Sequence, residues 1–205
     1  GGVGGTLVAN LISRKIKKQI DAGEAKVTVV DETGQHLYQP GFMYIAMGNQ
    51  DPKSLRKPER QLLDDRVELV IGTITKIDEE AKRVELADGT ELDYDELIVS
   101  LGSRILPETI EHFEEEAHHF YSEEAAAKLR TALDSFTGGK IVVGIASMPY
   151  KCPPAPLEVA FLIEAELRER GLRDKSELPY CSPIARALTI DSASDEELVI
   201  DDVPN

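Results

Sequence analysis

A chain of 205 residues with 41% hydrophobic content has enough apolar material for one large or two small domains, which excludes a disordered protein. Its 23 Lys plus Arg against 38 Asp plus Glu leave a formal charge of −15, disfavouring nucleic acid or anionic lipid as a general partner, though a local basic patch stays open. The two cysteines, Cys152 and Cys181, lack metal-ligand spacing and argue against a disulfide framework, and no apolar run approaches the roughly 20 residues of a bilayer span.

The chain opens with Gly1-Gly2-Val3-Gly4-Gly5-Thr6. Over residues 6–20, Leu7, Val8, Leu11, Ile12, Ile16 and Ile20 recur at three- and four-residue spacings opposite Arg14, Lys15, Lys17 and Lys18, which predicts an amphipathic helix. Residues 25–31 read as a buried β-branched strand ending in Asp31, 26 residues after Gly5. Glycines at a turn into a helix, then an acid at the end of the next strand, form the pattern of a dinucleotide site. The glycines let the backbone approach a pyrophosphate, and the acid holds a ribose hydroxyl. An acid rather than a basic residue at position 31 favours a free 2′-hydroxyl, as in the adenosine half of FAD or NAD. Gly2 and Gly5 fit the second and third glycines of G-x-G-x-x-G only with a glycine just before residue 1. The chain therefore reads as beginning inside its own motif, without the strand that should precede it.

Residues 35–47 hold His36, Tyr38, Pro40, Phe42, Tyr44 and two methionines without strong periodicity, and read as a loop that covers something flat or apolar or packs on its own body. Residues 66–91 alternate apolar and polar positions around an Asp88-Gly89 turn and read as a small antiparallel meander. Residues 94–102 give an acid-flanked start, a buried strand and a small-residue turn. The His118-His119 pair beside Glu114 to Glu116 reads as solvated surface rather than a metal site.

A helix is predicted over 122–136, with Ser122 as its cap and Glu123 and Glu124 in its first turn. A second buried strand over 140–146, a proline-rich turn over 147–156 and a helix over 157–170 ending at Gly171 make a second βα unit. A short strand over 178–182 follows. Residues 185–205, acidic from Asp191, read as a loosely ordered tail.

The second unit has no glycine cradle, because its turn runs Tyr150-Lys151-Cys152-Pro153-Pro154-Ala155-Pro156 and prolines lack the amide hydrogens that phosphate needs. It offers instead a cysteine between an ammonium and a helix start, both of which favour the nucleophilic thiolate. The alternative is a small residue in a tight turn. Cys181 reads as a buried strand residue.

Over residues 1 to about 184 the chain resembles the flavoprotein disulfide reductase superfamily, and within it the sulfide:quinone oxidoreductases and related flavocytochrome c sulfide dehydrogenases. The resemblance rests on Gly1 to Gly5 with Asp31, on His36-Leu37-Tyr38-Gln39-Pro40-Gly41, on Tyr94 to Gly102 and, most discriminating, on the Cys152 turn. It implies an α/β flavoprotein fold of two Rossmann-like βα units and a small meander, truncated at both ends. Residues 1–104 would be the FAD-binding domain and 105–184 the start of a second, NAD(P)-type domain.

The resemblance also implies FAD held with Gly1, Gly2, Val3, Gly4 and Gly5 at the pyrophosphate and Asp31 at the ribose. The backbone near Ile74 would meet the adenine, Ser100 to Gly102 would close over the phosphates, and Pro40 would lie near the isoalloxazine ring. Cys152 matches one of a pair of redox cysteines that take sulfur from sulfide or a related donor and pass electrons through FAD to a quinone. No counterpart of the second cysteine is found, nor of the C-terminal region that docks such proteins on a membrane, so the chain is expected to be cytoplasmic or membrane-peripheral. Two rivals stand beside this reading: a type II NADH dehydrogenase-like enzyme, which the proline-rich turn disfavours, and a non-catalytic fragment.

Overall fold

The computed structural model describes residues 1–184; the tail expected over 185–205 lies outside the described residues. Helix α1 (Gly2–Lys15) starts earlier than its periodicity predicts and winds the glycines into its first turn, while Arg14 and Lys15 oppose its C-terminal dipole. The predicted single helix is broken at Ile16, whose backbone (φ −108°, ψ 24°) leaves helical geometry before α2 (Lys17–Asp21) begins.

Strands β1 (Val27–Asp31) and β2 (Gln35–Leu37) follow, then the buried helix α3 (Phe42–Ala46). The 35–47 segment is thus not a plain loop. Its Phe42, Met43, Ile45, Ala46 and Met47 enter the main core against Ala126 and Leu133 and against Val159, Ala160, Ile163 and Leu167. Short turns separate the apolar positions and hide their period.

Strand β3 (Arg56–Pro58) pairs antiparallel with β2, and β4 (Val67–Ile71) pairs in parallel with β1, Val27 opposite Val67 through Asp31 opposite Ile71. This corrects the reading of 66–91 as one meander. Val67 packs with Ala9, Val29 and Leu63 beneath α1, so burial assigns β4 to the glycine-helix unit. Strand β1 is only partly buried, with Val29 its one buried position, because a single helix covers one face of the pair.

The meander consists of β5 (Ile74–Asp78), β6 (Arg83–Leu86) and β7 (Glu91–Asp93). The turn between the last two is as predicted: Gly89 takes φ +87° and Asp88 Oδ1 accepts from the Thr90 amide at 2.9 Å. The strand expected over 94–102 does not form. Among the described residues no strand edge pairs with it, and Leu97, Ile98, Val99 and Leu101 stay exposed.

After the short α4 (Phe113–Glu116), α5 (Glu123–Ser135) starts at the predicted cap, Ser122 Oγ accepting from the Ala125 amide. The expected strand over 140–146 is split into β8 (Gly139–Lys140) and β9 (Val143–Gly144), of which only Val143 is buried. Helix α6 (Ala155–Glu169) begins two residues early, behind Pro154 and with Pro156 in its first turn, where proline loses no helical bond. Strands β10 (Ser176–Glu177) and β11 (Tyr180–Cys181) return parallel to β8 and β9, completing a βαβ unit around α6.

Candidate functional site

The glycine turn and Asp31 meet in space. The Gly1 nitrogen donates to Val30 O at 3.1 Å and lies 3.5 Å from Asp31 Oδ2, while Asp31 Oδ1 accepts from the amides of Thr33 at 3.0 Å and Gly34 at 2.6 Å. Burial works to raise the Asp31 carboxyl, but those two amides and the Gly1 amino group outweigh it and hold it below its ordinary value.

Two of these positions are crowded: a Cβ on Gly1 would collide with the Asp31 carboxyl, and one on Gly4 with Ser100 Oγ. Ser100 thus lies directly over the first turn of α1. Gly102, in the same segment, takes φ +70°, and Gly2 takes φ +72°. Ile74 opens β5 two residues beyond Gly72, whose amide donates to Asp31 O at 2.9 Å. Gly1, Gly2, Gly4, Gly5, Asp31 and Ser100 therefore bound one region of the surface, with Val3 exposed beside it. A bare backbone at a helix N-terminus facing an ionised acid suits a pyrophosphate and its ribose.

Pro40 sits in a tight 3-10 turn (Gln39–Gly41). Beside it opens a cavity of about 470 Å³ lined by His36, Tyr38, Gly41 and Tyr44 with Lys57. Cys152 is exposed and holds φ +59°, a left-handed conformation that a non-glycine residue keeps only under constraint. Three bonds supply the constraint. The Cys152 carbonyl accepts from the Ala155 amide at 3.0 Å as α6 begins, Tyr121 Oη donates to Lys151 O at 2.8 Å, and Lys151 Nζ donates to Gln39 Oε1 at 3.0 Å. Burial, with nearby Cys152, Tyr150 and Tyr180, pushes the Tyr121 phenol up to about 12, so it remains a donor.

Both cysteines are free, and Cys181 is exposed on β11, which corrects its reading as buried. Its strand is two residues long with solvent on one side. Sequence reasoning missed Tyr121, which lies 30 residues from its acceptor and carries no local motif. Among the described residues the one polar contact of His119 is its Nδ1 accepting from the Tyr121 amide at 3.2 Å, and burial lowers its basicity. No helix among the described residues is long and apolar enough to cross a membrane.

A family model described as pyridine nucleotide-disulphide oxidoreductase matches residues 1–144. The mitochondrial sulfide:quinone oxidoreductase of Dictyostelium discoideum is 27% identical over 188 residues, covering 89% of this chain and 40% of that protein. A type II NADH:quinone oxidoreductase of Staphylococcus saprophyticus is 36% identical over 89 residues, covering 43% of this chain and 22% of that protein. The crystal structure of the sulfide:quinone oxidoreductase from Aquifex aeolicus superposes with a TM-score of 0.82 at 21% identity, over 98% of this chain and 46% of that one, and shows a shared fold. The chain spans about two fifths of the length of the curated sulfide:quinone relatives it matches.

Proposed function

The chain belongs to the pyridine nucleotide-disulphide oxidoreductase family, and from that premise we propose that it carries the FAD site and a reactive thiol of an enzyme that oxidises sulfide and reduces a quinone. The observation that carries the reading is the bond from Lys151 Nζ to Gln39 Oε1, which holds the Cys152 turn against the segment of Pro40. A sulfur-handling thiol must stand beside the flavin ring, and these two segments are 112 residues apart in the chain.

The residues present fit the cofactor, because a Cβ on Gly1 or Gly4 would crowd the Asp31 or Ser100 side chain and Asp31 stands ionised beside the turn. In this assignment the backbone of Gly1, Gly2, Val3, Gly4 and Gly5 meets the pyrophosphate and Asp31 the ribose. The backbone at Ile74 meets the adenine, Ser100 and Gly102 close over the phosphates, and Pro40 lies along the ring. FAD, when bound, supplies a two-electron acceptor. Residues 1–104 form the flavin domain and 105–184 the start of the second.

Cys152 supplies the sulfur acceptor. Its thiol and a hydrogen sulfide molecule join through a new S–S bond, giving up two electrons and two protons, and the electron pair passes on to the quinone. Tyr121 and the α6 N-terminus hold the thiol's turn in its left-handed conformation. Membrane docking of the whole protein through a further region belongs to the same proposal.

The similarity to a type II NADH:quinone oxidoreductase supports a second reading, with NADH as donor. Against it stands the second turn, where Pro153, Pro154 and Pro156 replace the amides a second dinucleotide would need. Flavin absorbance in the purified protein, bleached by sulfide and not by NADH, is the expected result. Bleaching by NADH alone transfers the assignment to the second reading, and a colourless protein that takes up no added FAD removes both.

A further inference from the structure

Glu59 is fully buried, at 0% exposure, in the 3-10 turn Glu59–Leu62 beside α1. Its Oε1 is hydrogen-bonded to Thr6 Oγ1, its Oε2 lies 3.1 Å from His36 Nδ1, and its amide donates to Gly34 O at 2.8 Å. Among the described residues it has no Lys or Arg partner, and the ring it faces is that of His36. Thr6 Oγ1 also lies 2.6 Å from Gly2 O.

A hydroxyl has one proton, and two acceptor oxygens, Gly2 O and Glu59 Oε1, lie within its reach. Both bonds are completed only when Thr6 donates to Gly2 O and the glutamyl group supplies the other proton, donating to Thr6. Oε2 then accepts from Nδ1–H of His36. The chain of bonds runs from β2 through Glu59 to the carbonyl of Gly2. Because the peptide unit is planar and trans, pinning Gly2 C=O inward aims the Val3 N–H the opposite way, toward the ligand side of the helix start.

We infer that Glu59 is a positioning residue, hydrogen-bonded as a neutral acid, that sets the first peptide plane of the glycine helix through Thr6. This rests on the reading of Gly1 to Gly5 as the pyrophosphate turn. A second clamp supports the same contact: Asn10 of α1 donates from Nδ2 to Leu62 O at 2.8 Å and accepts at Oδ1 from the Asp64 amide at 2.7 Å.

The test uses Glu59→Gln, Glu59→Leu and Thr6→Val, read by thermal midpoint, infrared spectrum and FAD fluorescence titration. Glu59→Gln can donate to Thr6 and accept from His36 as the acid does, so its midpoint and FAD affinity should match the unsubstituted protein while a protonated-carboxyl infrared band disappears. Thr6→Val and, if it folds, Glu59→Leu should weaken FAD binding about five- to tenfold, the worth of one or two hydrogen bonds. A marked fall in the midpoint of Glu59→Gln, or no loss of a protonated-carboxyl band, overturns the neutral acid. Unchanged FAD affinity in Thr6→Val overturns the positioning role. If the unsubstituted protein binds no FAD, the dinucleotide reading fails, and the midpoint and infrared arms still decide the state of Glu59.

Discussion

Lys151 Nζ and Gln39 Oε1 are joined at 3.0 Å across 112 residues, so the Cys152 turn and the Pro40 turn form one continuous surface. Cys152 is exposed on that surface, and the proposed function makes it the nucleophile. Cys152→Ser in the full-length protein should lower sulfide-dependent quinone reduction about a thousandfold or more, as removal of a nucleophile does. Flavin content measured by absorbance should be unchanged. Near-normal turnover in that variant removes the catalytic assignment.

Ser100 lies where a side chain on Gly4 would have to go. Gly4→Ala should weaken FAD binding about tenfold, and adding Ser100→Ala should recover most of the loss, since the second change removes the colliding oxygen. A double-mutant cycle on FAD titrations checks it, and simple additivity of the two changes contradicts a steric origin.

The Asp31 carboxyl is held below its ordinary value, with burial opposed by the Gly34 and Thr33 amides. Its folded-state value therefore lies below the unfolded one, so its contribution is complete above about pH 4 and is lost as pH falls through the folded value. Thermal midpoints measured from neutral to acid pH should show a shallower acid limb in Asp31→Asn than in the unsubstituted protein.

Tyr121 behaves in the opposite sense. Its folded-state value, pushed up to about 12 by burial and then by nearby Cys152, Tyr150 and Tyr180, exceeds the unfolded one. Stability from this group is complete below about pH 10 and is lost as pH rises beyond it. Ultraviolet titration of the six tyrosines should show a late phase that Tyr121→Phe removes.

Arg130 on α5 grips Glu166 on α6 in a bidentate pair at 2.6 and 2.9 Å, both side chains 17% exposed. That bond, against burial, holds the Glu166 carboxyl low. Among the described residues Arg130→Met leaves Glu166 with Arg170 alone, and it should cost about 2–3 kcal/mol in denaturant unfolding, as breaking a largely buried pair does. The rate of Cys152 alkylation should not change, since no bond of its turn involves Arg130.

Helix α5 with its Ser122 cap, the Asp88-Gly89 turn and the sequence of βα units were legible because each is encoded within a few neighbouring residues. The candidate site was legible at Asp31 and the glycines for the same reason, since the motif spacing is a property of one βα unit. Tyr121, Glu59 and the Lys151 to Gln39 bond were not, because each pairs residues at least 23 positions apart with no local signature.

Alternation predicted that residues 67–71 form a strand but assigned it to the 66–91 meander, the wrong partner. Burial decided it, by seating Val67 under α1 with Val29. Hydrophobicity likewise marked 97–101 as a strand candidate, yet a strand needs a partner edge, and the tertiary arrangement leaves those side chains exposed. Local pattern, then, determined which residues could turn, cap, coil or extend. Which of them stand face to face, from Gly4 beneath Ser100 to Lys151 beside Gln39, was settled only when long-range packing and hydrogen bonding closed the chain on itself.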